Sequence, residues 1–209
     1  MTLDEFWQLH EALPLEDPAE VLTQRLSRLD AAAVLAFNRH QTQCFMEAYS
    51  WDLWGAAYLI DGGCSDDGFM DFRFGLMARG RQVFEAAVRQ PDTLAQVMAD
   101  ESDEAYIPNE DMGHVADRAY RALTGQDLPP LGLFWPEQPH GTEWDFDDEA
   151  MCRAKLPALW AKHMGTEGGP SSEGHPAGTA GAPSAELVRL IEQDMLPTCD
   201  NRTGRRVGG

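Results

Sequence analysis

WDLWGAAYLIDGGCSDDGFMDFRFGLMARG, residues 51–80, is the stretch that decides the fold of this chain. Its apolar residues recur at three and four positions on both sides of the segment DGGCSDDGF, which predicts two helices joined by a short turn. Gly62 or Gly63 is expected to take the left-handed conformation that ends the first helix, and Ser65 is expected to cap the second. The stretch therefore predicts a helical hairpin.

The same helical periodicity extends through most of the chain, and strand signals are scarce. Thr2 and Glu5 form a capping box, and Asp17 and Asp30 are expected to cap the next two helices. Because nearly every apolar segment follows this period, we expect an all-α fold, a compact multi-helix bundle of short helices.

The chain divides by composition into three parts. Residues 1–164 form the predicted helical domain, whose last helix is expected to begin at Asp147 and to be kinked by Pro157. Residues 165–183 have no bulky apolar side chain, so they are expected to form a flexible linker. Residues 184–209 are predicted to hold a short amphipathic helix and a basic tail. A flexible C-terminal extension is thus predicted.

Net charge and hydropathy exclude several classes of partner. The 35 acidic residues outnumber the 16 basic ones, giving a formal net charge of −19, which disfavours binding to nucleic acid. The longest uncharged apolar run, residues 53–60, is too short to span a membrane. The beginning of the sequence lacks the pattern of a secretion signal, and the four cysteines form no CxxC pair. We expect a cytoplasmic protein with free thiols.

The central turn has two open interpretations. In the first, Asp66 and Asp67 stabilise the first turn of a helix by about 0.3–1 kcal/mol each, with no catalytic role. In the second, Cys64, Asp66, Asp67 and Arg73 form an acidic, metal-assisted catalytic site with a thiol at a helix N-terminus. The neighbouring carboxylates oppose thiolate formation, and no histidine lies nearby in the sequence. The first interpretation is therefore favoured.

Further candidate sites lie before the turn. Trp51, Trp54 and Tyr58 form a helical stripe that either anchors the core or lines a binding pocket. His40 and Cys44, with Glu47 three residues on, would share one helix face in a geometry compatible with a transition metal. Asp66 and Asp67 are weak candidates for a hard cation. No dinucleotide, phosphate-loop or serine-hydrolase motif is present, so no cofactor is indicated.

The central stretch resembles the bacterial family known as domain of unknown function 4240. The resemblance extends over residues 1–164, from TLDEFWQL to the closing WDFDDEAMCRAKLPALWAKH, and Phe74 stands where a tryptophan is expected. It implies a helical domain of a bacterial cytoplasmic protein and carries over no catalytic residue. The positions that match the family motif are Trp51, Trp54, Tyr58, Gly62, Gly63, Cys64, Ser65, Asp66, Asp67, Phe69, Phe72 and Arg73.

Three hypotheses on function follow from these observations. The first is a non-enzymatic binding or regulatory module for a protein or peptide, because the sequence offers helical surface and charge without a catalytic set. The second is an enzyme with the acidic site around Cys64. The third is a domain that binds or processes its own C-terminal peptide, since an acidic surface attracts a basic tail.

Overall fold

A computed structural model describes residues 1–97 and 107–164 of the chain. The predicted linker and the segment after it lie outside the described residues. Within these ranges the α-helices are α1 Leu3–His10, α2 Pro18–Leu26, α3 Ala31–Glu47, α4 Trp51–Asp61, α5 Asp66–Ala78, α6 Arg81–Arg89, α7 Leu94–Val97, α8 Val115–Thr124, α9 Glu149–Lys155 and α10 Pro157–His163. Two short 3₁₀ turns, Pro91–Thr93 and Glu110–His114, precede α7 and α8.

The predicted all-α fold is confirmed. In the described ranges, extended pairing is limited to an isolated bridge between Ser50 and His140. That bridge fastens residues 127–148, an irregular segment that we call the strap, to the start of α4. None of the helices described has both the length and the apolar character needed to cross a bilayer.

The predicted helix starts near the N-terminus are confirmed. Thr2 and Glu5 form a reciprocal capping box on α1. Asp17 accepts a hydrogen bond from the backbone of Glu20 at the start of α2, and Asp30 does the same for Ala33 in α3. These side chains satisfy backbone N–H groups that have no partner inside their helix.

The central hairpin is formed by α4 and α5. Ser50 caps α4, which ends at Gly62 with a φ of 68°, in the left-handed region where glycine is favoured. Ser65 then accepts a hydrogen bond from the backbone N–H of Gly68 and begins α5. Each feature of the turn predicted from the sequence is present.

The last two helices differ from the expectation. Asp148 caps α9 by accepting hydrogen bonds from two backbone N–H groups, whereas Asp147 accepts one from the hydroxyl of Tyr58. The chain breaks at Leu156, and Pro157 begins α10 as a separate helix. The predicted single kinked helix was wrong, because a residue before proline is disfavoured in helical conformation while proline suits a first helical position.

One aromatic-rich core joins the helices. Its members come from α1–α7, from the segment before α8, from α8–α10 and, through Trp144, from the strap. Its largest fully buried side chains are Phe6, Phe37, Phe69, Phe72, Phe84, Leu22, Leu26, Leu53, Leu76, Met77, Leu94 and Ile107.

Gly75 permits a close approach of another backbone segment to α5. A Cβ atom at this position would overlap the carbonyl oxygen of Ile107. The same chain segment is held to α5 by a hydrogen bond from the backbone N–H of Asn109 to the carbonyl of Asp71, at 2.9 Å. The absence of a side chain at Gly75 thus sets the distance between α5 and this segment.

His10 is a buried titratable group at the end of α1. Its ring lies against Phe6, Trp7 and Phe37, and Nδ1 is 3.0 Å from the carbonyl oxygen of Phe6. Burial lowers the pKa of His10 to about 4, outweighing the hydrogen bond to Phe6, which raises it, and nearby Arg25 lowers it further. The ring is therefore neutral in the folded protein at pH 7.

We predict that Gly75→Ala lowers the free energy of unfolding by about 3 kcal/mol, because the new methyl group displaces backbone rather than a flexible side chain. Gly68→Ala in the same helix is the matched control. Its Cβ would meet no atom closer than 3.4 Å, so stability should stay the same or rise by about 0.5–1 kcal/mol. Urea unfolding measures both, and equal effects would contradict the close approach at Gly75.

We also predict a loss of stability on acidification that depends on His10. The unfolded chain takes up a proton near pH 6.5 and the folded one near pH 4, so stability is complete above pH 6.5 and falls as the pH drops toward 4. The loss from this group reaches about 3 kcal/mol. Relative to wild type, His10→Gln should gain stability by that amount between pH 7 and pH 4 in urea unfolding. A pH-independent difference would contradict the neutral buried ring.

Candidate functional site

The turn between α4 and α5 positions Cys64 beside a buried aromatic ring. The indole N–H of Trp54 donates a hydrogen bond to the carbonyl oxygen of Cys64, at 3.0 Å. The ring of Trp54 stacks on Phe69, with centroids 5.0 Å apart. One side chain therefore supports the turn and packs the two helices of the hairpin together.

A cavity of about 500 Å³ opens beside this turn. Asp61 and Asp71 contribute its carboxylates. Partial desolvation raises the pKa of Asp61 to about 6. The pKa of Asp71 is also raised, chiefly by desolvation and to a smaller extent by repulsion from Glu110 and Asp67. The remaining lining comes from Ile60, Gly63, Cys64, Gly68 and Pro108.

The Cys64 thiol is unsuited to nucleophilic attack. Burial, and after it the carboxylate of Asp61, raises its pKa to about 12 against a smaller opposing effect of Arg73. The nucleophile in thiol chemistry is the thiolate, which is scarce at pH 7 when the pKa is this high. The position at a helix N-terminus does not compensate for these effects.

Arg73 points into the core. Its guanidinium carbon lies 3.7 Å from the ring centre of Phe45, 4.6 Å from that of Tyr49 and 4.8 Å from that of Phe69. It donates hydrogen bonds to the backbone carbonyls of Phe45 and Phe69. No carboxylate pairs with it in the described ranges. Burial lowers the pKa of Arg73 to about 9, so the group stays charged at pH 7.

The four candidate catalytic residues do not line one cavity. Cys64 lines the cavity beside the turn, Asp66 and Asp67 occupy the first turn of α5, and Arg73 is enclosed by aromatic rings. The raised pKa of Asp66 follows from desolvation and then from repulsion by Asp67. The geometry does not support a catalytic role for these four residues, and such a role stays a prediction.

The aromatic stripe packs inside the domain. Trp51 stacks on Trp54 with centroids 5.6 Å apart, and both rings contact Phe146 of the strap. Tyr58 also contacts Phe146 and donates a 2.6 Å hydrogen bond to Asp147. The strap thus covers the face that the sequence presented as either core or pocket, and a binding role for the stripe stays a prediction.

A groove of about 490 Å³ lies elsewhere, between α1, α3 and α6. Trp7 and Phe84 form its floor, with ring centres 5.2 Å apart, and Leu3 stands at its edge with 40% of its surface exposed. The other lining residues are His40, Gln43, Cys44, Glu47, Glu85, Val88 and Arg89.

The proposed metal-binding face of α3 lies in this groove. His40, Cys44 and Glu47 all line it, as their helical spacing predicted. The ring nitrogen of His40 is 3.2 Å from the carbonyl oxygen of Met1, and burial raises the pKa of the Cys44 thiol to about 12. In the part of the chain that the structure describes, no three His, Cys, Asp or Glu side chains are arranged to hold a metal ion.

Two features of these surfaces have no signal in the sequence pattern. The pattern drew attention to Asp66 and Asp67, whereas Asp61 and Asp71 line the cavity beside the turn. The groove is the second feature. The apolar positions of α1 and α6 are visible in the sequence, but their meeting depends on tertiary packing.

We predict that Cys64 reacts slowly with iodoacetamide. With a pKa of about 12 against 9.0, the thiolate fraction at pH 7.5 is about a thousandfold lower than for the same thiol in the unfolded chain. Because a more basic thiolate is also more nucleophilic, we expect the alkylation rate to be about thirtyfold lower. Peptide mass mapping after timed alkylation, with and without urea, measures the ratio. A folded-state rate equal to or above the unfolded one would revive the nucleophile hypothesis.

No curated protein and no solved structure matches this chain. A family model described as "Protein of unknown function (DUF4240)" matches residues 1–122. The match includes the hairpin and the groove, and ends before the strap, α9 and α10, although the resemblance extended to residue 164. Since it spans more than half of the 209 residues, the chain belongs to this family of proteins of unknown function, DUF4240.

Proposed function

We propose that this protein is a non-enzymatic binding module whose groove between α1, α3 and α6 takes the apolar face of a helical peptide. The observation that carries the proposal is the groove itself, in which the exposed Leu3 and the half-buried Val88 offer apolar surface above the buried rings of Trp7 and Phe84. Helix-in-groove recognition depends on apolar anchors spaced along one helix face. A groove flanked by three helices suits such a ligand.

The rim of the groove carries charges of both signs, Glu47, Glu85 and the exposed Arg89, and it is the acidic excess of the chain as a whole that favours a ligand with basic flanks. Glu47 is exposed at the rim, and the chain as a whole carries an excess of acidic residues. Glu85, also at the rim, is already paired with Arg81 at 2.6 Å. Arg81 in turn binds Asp4 and so fixes α6 against the beginning of α1. Glu47 is therefore the rim carboxylate that we assign to the ligand.

The enzyme hypothesis has less support than the binding hypothesis. A catalytic constellation needs a nucleophile or base within reach of its partners, and the four candidates are not gathered in that way. The groove, by contrast, is open in the structure, and Leu3 at its edge is exposed. This contrast ranks binding above catalysis.

A cytoplasmic location in a bacterium is part of the proposal. Cys44, Cys64 and Cys152 are free thiols, as is usual in a reducing compartment. Binding of nucleic acid or membrane is not part of it, because the acidic surface repels both phosphate backbones and anionic headgroups.

We predict that a library of short random peptides, selected on the full-length protein, yields sequences with apolar residues at helical spacing and basic flanks. Leu3→Asp should weaken binding of the selected peptides at least about tenfold, or about 1.4 kcal/mol, because it places a charge against their apolar face. Fluorescence anisotropy with labelled peptides measures the affinities.

Leu123→Asp is the matched control for this experiment. Leu123 lies on α8, outside the groove, with 41% of its surface exposed against 40% for Leu3. The same change of leucine to aspartate there should alter affinity by less than about twofold. Failure to enrich any peptide, or equal sensitivity to the two changes, would remove the groove as the binding site.

A further inference from the structure

We infer that the groove is occupied by the chain's own residues 184–196, so that the binding module is autoinhibited in cis. This inference rests on the proposed function and names the partner of the same groove. It has three supports: the apolar pattern of the segment, the reach of the linker and the charge of the residues that follow.

The segment SAELVRLIEQDML has the pattern that the groove requires. In a helix, Ile191 lies at the centre of an apolar face, with Leu187, Val188 and Met195 around it. In helical form the anchors from Leu187 to Met195 span about 12 Å, comparable with the roughly 14 Å of the nine-residue α6 that forms one wall. The segment can therefore place several anchors along the groove.

The described chain stops close to the groove. Asp92 accepts hydrogen bonds from the backbone N–H groups of Ala158 and Leu159, so α10 begins beside the turn that follows α6. Arg89, at the groove, lies three residues before Asp92 and is therefore within about 11 Å of it. The seven residues of α10 extend the path by only about 10 Å. Its end is consequently within about 25 Å of Arg89.

The linker matches that distance. Residues 165–183 are rich in Gly, Ser and Pro, and a flexible chain of this length has a root-mean-square span of about 24 Å. Effective concentration is highest when linker span and site separation agree, and is then on the order of 1 mM. At 1 mM, a segment with a dissociation constant of about 0.1 mM is bound about 90% of the time.

The residues after the segment complement the charge of the domain. Arg202, Arg205 and Arg206 give residues 197–209 a positive balance against the single Asp200. The domain has the opposite balance, with Glu47 exposed at the rim of the groove. Residues 184–196 themselves hold three acidic residues against one arginine, so the attraction acts only on the residues that follow them. It favours the bound arrangement at that end and weakens as salt is added.

Paramagnetic relaxation in the full-length chain tests the inference. A nitroxide label on Cys199, three residues after Leu196, reports the position of the segment. The label is directed to Cys199 because Cys44 and Cys152 are buried and because Cys64→Ser removes the half-buried thiol at the turn. If the segment is bound about 90% of the time, we expect the indole resonance of Trp7 to lose more than about half its intensity. The resonance of Trp144, which lies outside the groove, should lose less.

Ile191→Asp should abolish the loss at Trp7, and this change lies outside the folded domain, so it leaves the groove intact. Ser184→Asp, at the predicted helix start, is the control, and the loss of intensity at Trp7 should persist in this variant. Equal broadening of Trp7 in wild type and Ile191→Asp, or none in either, would overturn the inference. So would broadening that appears only between differently labelled molecules, since it would mark a second copy as the occupant.

The peptide selection separates this inference from the proposed function. If peptides bind in a Leu3-dependent way while the label on Cys199 leaves Trp7 unaffected, cis occupancy fails and the binding function stands. If neither is observed, both fail. If cis occupancy is correct, Ile191→Asp should raise the affinity of the selected peptides by about tenfold, the factor expected when a segment bound 90% of the time is released.

Discussion

The stacking of Arg73 between aromatic rings is the interaction on which the arrangement of the central helices depends. Its guanidinium joins Phe69 of α5 to Phe45 of α3, and Phe69 continues the stack to Trp54 of α4. Cation–π contacts in desolvated sites contribute about 2 kcal/mol or more. Its two hydrogen bonds to backbone carbonyls satisfy two of the buried guanidinium N–H donors. Because all three helices contribute, a change in one affects the packing of the others.

This use of aromatic residues explains why the most recognisable motif of the chain is not an obvious site. Trp54 supports the turn through the carbonyl of Cys64, and Arg73 holds the helices. The strap covers the remaining stripe with Phe146. Residues engaged in this way serve the fold, so we assign binding to the groove between α1, α3 and α6, where Leu3 is left exposed.

Local signals predicted the helices well and their ends less well. Ser65 and the glycines after α4 were recognised because capping and positive φ depend on neighbours in sequence. Asp147 was assigned the cap that belongs to Asp148, since these two adjacent aspartates offer equivalent local candidates. The hydrogen bond from Tyr58, 89 residues away, reserves Asp147 for another role. Such a long-range contact has no signature in a local pattern.

The sequence by itself determined the all-α class, the central hairpin, the caps of α1, α2, α3 and α5 and the acidic character of the protein, because each follows from local periodicity or composition. Only the tertiary structure decided which apolar faces remain open. Trp51 and Trp54 are equally compatible with a pocket in sequence, and packing against the strap engages them. Trp7 and Phe84 lie 77 positions apart and form a groove floor only because α1 and α6 pack side by side. Exposure depends on what each face meets, and that is a property of the folded chain.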